Sequence, residues 1–153
     1  MFNSIMSHLF GTQPSAETLS REDADIAVAA LLVRVARADD HYSQAEQTRI
    51  DMVLARLHGL SMAEAAAQRA EAEQVEANAP DTVRFTRQIK DRIALEDRSG
   101  VLAALWEIAY ADGDRGADEE ALIRLVAGLL GINDRDSGLI RQRVIAGMPS
   151  SEG

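Results

Sequence analysis

Shifted by 73 residues, the chain partly matches itself, and this constrains its fold more than any other feature. Leu32, Ala36, Ala38, Asp39, Glu46, Ile50, Val53 and Leu57 fall on Leu105, Ala109, Ala111, Asp112, Glu119, Ile123, Val126 and Leu130. That is 8 identities in 26 aligned positions. Val35 on Ile108 and Met52 on Leu125 are conservative matches. Amphipathic helices rich in Leu and Ala share identities by composition alone. The Asp and Glu matches are more telling, because they sit at a turn and preserve its length. A duplicated helix–acidic loop–helix unit predicts two helical hairpins packed face to face, with approximate two-fold pseudo-symmetry.

The rest of the chain reads as helix too, for an all-α fold of about seven helices with no period-2 strand. Aromatic residues make up only 4% of the chain, so the core must be aliphatic, and the abundant alanine favours helix. Residues 23–38 are apolar over much of a helical circumference and predict a central helix. Ser43 with Glu46, and Ser61 with Glu64, form S-x-x-E capping boxes that open the next two helices. The second of these, 62–77, is rich in Ala and Glu and is expected at the periphery. A less regular helix follows through Val83, Phe85, Ile89, Ile93 and Leu95, with Ser99-Gly100 marking a break or a new start. Leu102, Leu105 and Ile108 carry the next helix and place Trp106 in the core. Leu122 to Leu130 carry another, and Asn133 or Asp134 caps the last.

Residues 1–16 read as an N-terminal amphipathic helix and linker, with Phe2, Ile5, Met6 and Leu9 on one stripe. Residues 17–148 read as a single helical domain and 149–153 as a flexible tail. The net charge of −9 repels phosphate backbones, so nucleic acid is not an expected partner. No basic residue precedes Arg21, so no signal peptide is read, and no apolar run approaches a membrane span. The absence of cysteine excludes disulfides and thiolate chemistry and fits a cytoplasmic protein.

The loops carry the chemistry. Glu46 and Glu119 fall at the third position of their helices, where an acid reaches back to the N-cap amide. Asp40 and Gly113 follow helix ends and suit a positive φ. Asp39 and Asp112 differ, because each sits at a helix C-terminus, where a carboxylate opposes the dipole. Either a turn-locking hydrogen bond or a bound cation, shared with Glu46 or Glu119, would compensate. His41, aligned with Asp114, joins the candidate ligands. An EF-hand is excluded, since Ala117 and Ile123 stand where its Gly and Glu belong. No H-E-x-x-H pair, phosphate loop or nucleophile elbow occurs.

The pattern Ala111-Asp112-Gly113 to Glu119, followed by a helix closing at Leu130-Gly131, resembles the TerB-like family. In the first copy Asp40 replaces the Gly. The resemblance implies an all-α fold, a link to tellurite resistance and general stress response, and no established enzymatic activity. It also implies association with membrane-linked protein complexes and metal binding by the acidic positions. The expectation is therefore a non-catalytic module that binds a protein partner or a divalent cation. The candidate cation ligands are Asp39, Glu46, Asp112 and Glu119, with His41 and Asp114 beside them. The alternative is a metal-dependent enzyme that uses the same acids on one cation.

Overall fold

The computed structural model describes residues 16–38, 40–79, 81–110 and 117–147, with side chains from Asp23 onward except at Ala117. These residues form seven helices and no strand: α1 Ala16–Ala36, α2 Gln44–His58, α3 Met62–Asn78, α4 Val83–Arg92, α5 Leu95–Ala109, α6 Ala117–Leu129 and α7 Asp134–Gly147. The fold is all-α, as the periodicity predicts. The stripe at Phe2, Ile5, Met6 and Leu9 and the 149–153 tail lie outside the described residues.

Helix α1 is the axis of the molecule. Every residue from Ala27 to Val33 is buried, and α1 packs against α2, α3, α4, α5 and α6. A helix that is apolar all round is stable only when it is surrounded. It begins at Ala16 rather than Asp23. The segment between carries no Gly or Pro to stop it, and Ala, Glu and Leu favour helix.

Helices α2 and α3 open on the two expected capping boxes, at Ser43 and Ser61. Helix α2 closes on Gly59 at φ 65°, and Leu60 N–H donates to Ala55 O at 3.0 Å, so the last carbonyls are satisfied. Helix α3 is less peripheral than its composition suggests. Its outer face is exposed, but Ala65 and Ala72 are fully buried and it makes the most extensive contact with α1. Small side chains let the two backbones approach, so the lack of large apolar residues marks closeness here.

The break after α4 falls at Ile93-Ala94, not at Ser99-Gly100, which lie inside α5. The cause is Arg98. Its guanidinium donates to the carbonyls of Ile93 (2.9 Å), Lys90 (3.1 Å) and Leu130 (3.0 Å), capping the end of α4 and the end of α6 together. Asn133 caps α7, accepting from Asp136 N–H at 2.8 Å.

The two hairpins meet reciprocally. Helix α1 packs on α5, α2 reaches α5, and α6 reaches α1. Matched positions share environments: Leu32 and Leu105, Ile50 and Ile123, and Val53 and Val126 are all buried. Met52 and Leu125 are instead 51% and 54% exposed, so their similarity is not a core requirement.

Candidate functional site

A helix begins with amides that have no partner inside it. At the first acidic loop Ser43 and Glu46 meet this need for α2. Ser43 N–H donates to Glu46 Oε1 at 3.1 Å, and Glu46 N–H donates to Ser43 Oγ at 3.2 Å. Asp40 stands at φ 64°, the only non-glycine residue with positive φ among those described, and its N–H donates to Arg37 O at 3.0 Å. The first turn therefore adopts the left-handed conformation, which Asp tolerates better than most side chains.

Glu119 occupies the same third position in α6, but it is only 5% exposed, whereas Glu46 is half-buried. A carboxylate buried to that degree needs a partner, and Glu119 has one. His41 is exposed and also engaged. Asp39, Asp112 and Asp114 lie outside the described residues. Among the described residues no three His, Asp or Glu side chains gather in a metal-sized group. The helices that carry Glu46 and Glu119 do not pack on one another.

Behind the first loop stands a polar network that the sequence reading missed. Glu73 on α3 accepts from the Tyr42 hydroxyl and from Arg69 Nη1 (3.0 Å), while Arg69 Nε donates to buried Asp51 at 2.6 Å. One turn on, Glu76 takes Arg34 at 3.0 Å and Arg37 at 3.1 Å, and Arg34 also donates to Ala79 O at 2.8 Å. Arg37 lies over the Tyr42 ring at 5.3 Å, and Arg34 over Phe85 at 5.3 Å. Burial, and then the hydrogen bond to Glu73, pushes the Tyr42 hydroxyl well above the usual tyrosine range. The hydrogen bond to Asp51 raises Arg69 against the opposing effect of burial, and so holds its charged form. Arg69, Glu73 and Glu76 sit at i, i+4 and i+7 on α3, the one signal that could have marked this face.

A similar network joins α5, α6 and α7. Tyr110 at the end of α5 donates to Glu120 Oε1 at 3.2 Å and accepts from Arg141 Nε at 2.6 Å. The Arg141 guanidinium covers Trp106 at 5.5 Å and Tyr110 at 5.8 Å. Trp106 is buried as expected, at the position matching Val33. His58, unpaired by sequence, meets Gln68 at 2.7 Å and Asp25 at 3.3 Å and is a structural residue between α1, α2 and α3.

An all-helical domain with a tyrosine-centred polar network at the start of α2 and another between α5, α6 and α7 is the class that this geometry defines. Its lineage comes from comparison: the family described as Tellurite resistance protein TerB matches residues 25–142. The chain belongs to the TerB family. No curated protein and no solved structure matches it. No described helix is long and apolar enough to cross a membrane.

Proposed function

We propose that the chain is a non-catalytic interaction module of the TerB type, which acts in tellurite resistance or a related stress response by binding a cation or a basic partner through its acidic loops. The supporting observation is Glu119. It is buried in the first turn of α6 in the register of Glu46, directly after the segment that carries Asp112 and Asp114. A buried carboxylate at a helix start, next to two further acids, is suited to sharing a positive charge. The ligands we assign to a divalent cation are Asp39 and Glu46, with His41, at the first loop, and Asp112 and Glu119, with Asp114, at the second.

The test is thermal melting of the wild type, Asp112→Asn and Asp112→Ala, with chelator and with Ca²⁺, Mg²⁺, Mn²⁺ or Zn²⁺. A cation at 100 times its dissociation constant adds ~2.7 kcal/mol to the wild type and nothing to either variant. No shift with any ion at millimolar concentration ends the cation reading. A metal-independent loss in Asp112→Ala alone, on the order of 1 kcal/mol, would make Asp112 a turn-locking residue.

A further inference from the structure

Away from the acidic loops, the start of α5, the turn between α6 and α7 and one face of α7 form an open groove of about 280 Å³. Its apolar lining is Leu95, Ile132, Leu139 and Ile140. Ile132 and Ile140 are buried, but Leu95 is 53% exposed and Leu139 43% exposed. Two leucines left half in water along one groove are apolar surface that a further element would cover with a gain in stability. On α7 the wall runs from Asp136 through Leu139 and Ile140 to Arg143, at i, i+3, i+4 and i+7, and is ~10 Å long.

The chain itself carries a segment of matching character. Residues 1–15 lie outside the described residues, and their sequence contains no Asp, Glu, Lys or Arg, in a chain that is 27% charged. Phe2, Ile5, Met6 and Leu9 repeat the i, i+3, i+4, i+7 spacing of the α7 wall, over the same ~10 Å if helical. The chain also brings this segment to the right end of the molecule. Helix α1 begins at Ala16, and Asp23, two turns in, lies 3.8 Å from Arg92 at the end of α4. Leu95 follows Arg92 by only three residues. The stretch from Leu9 to Ala16 spans up to ~25 Å when extended, more than the ~10 Å of helix between Ala16 and Asp23. The segment therefore has the length to return to the groove.

We propose that the groove between α5 and α7 is the docking site of the chain's own N-terminal segment, which lies along α7 with Phe2, Ile5, Met6 and Leu9 against Leu95, Ile132, Leu139 and Ile140. None of the acidic-loop residues lines the groove, so its test does not depend on the cation reading.

The chain has no cysteine, so Ser4→Cys, off the apolar stripe, gives a single attachment point for a nitroxide. Amide resonances of the full ¹⁵N-labelled chain are compared with the nitroxide oxidised and reduced. The expected result is broadening around Leu95, Leu139 and Arg143 with α3 spared, since α3 does not pack on α5, α6 or α7. Leu139→Asp, at an exposed position, and Ile5→Asp, in the segment itself, should each weaken docking about tenfold, because a carboxylate buried without a partner is costly. Unchanged α3 resonances show that each variant keeps the fold. Equal broadening of a ¹⁵N-labelled chain by a separate nitroxide-bearing chain would assign the groove to a second copy and overturn the proposal. An absence of broadening at the groove would also overturn it, as would broadening that neither variant reduces.

Discussion

At the residue scale, each polar side chain at a turn has a local task. Glu46 and Glu64 both reach back to the serine that starts their helix. Glu64 shows the energetic consequence. Its carboxyl is held below the usual range, first by the backbone hydrogen bond from Ser61 and then by the Ser61 hydroxyl. A carboxylate whose pKa is lower in the folded state adds stability above its unfolded pKa and loses it as pH falls through the folded value. Glu64→Ala should therefore lower the melting temperature at pH 7, and the deficit should shrink towards pH 3. Melting curves of the two proteins across that range check it, and a deficit independent of pH would refute the linkage. Asp40 illustrates a different cost: it tolerates the left-handed region, where most side chains lose about 1–2 kcal/mol.

At the element scale, helix starts marked by a capping side chain were readable, and those of α1 and α5 were not. Ser43, Ser61 and Asn133 announce α2, α3 and α7 because a cap is a local device, complete within four residues. The start of α5 was misread, because its boundary depends on Arg98 meeting carbonyls of Lys90, Ile93 and Leu130, and Leu130 is 32 residues away. Gly100 looked like punctuation and is instead a helix-interior residue. Nothing lies within 4 Å of a Cβ built there. Gly100→Ala should thus stabilise the protein by about 0.5–1 kcal/mol, through helix propensity and a less flexible unfolded chain. Denaturant unfolding measures this, and a loss of stability would mean that the glycine serves something besides α5.

At the scale of the whole molecule, α1 and α5 are the paired inner helices, and their matched leucines test the repeat. Leu32 and Leu105 are both fully buried where the hairpins meet. Leu32→Ala and Leu105→Ala should each cost about 2–5 kcal/mol, in one unfolding transition. Two separated transitions, or a negligible cost at one position, would argue against a single core built from both hairpins.

The sequence by itself determined the helices, the central place of α1, the burial of Trp106 and the shared burial of matched core positions in the two hairpins. These follow from periodicity, capping and the 73-residue match, which are properties of neighbours along the chain or of the chain against itself. Only the tertiary structure decided that α3 lies against α1 and that Glu73 and Glu76 gather Tyr42, Arg69, Arg34 and Arg37. It also decided that Leu95 and Leu139 line one groove. A charged side chain has no periodicity that names its partner. Its pairing is set by which helix faces it across the core, and that is known only once the helices have packed.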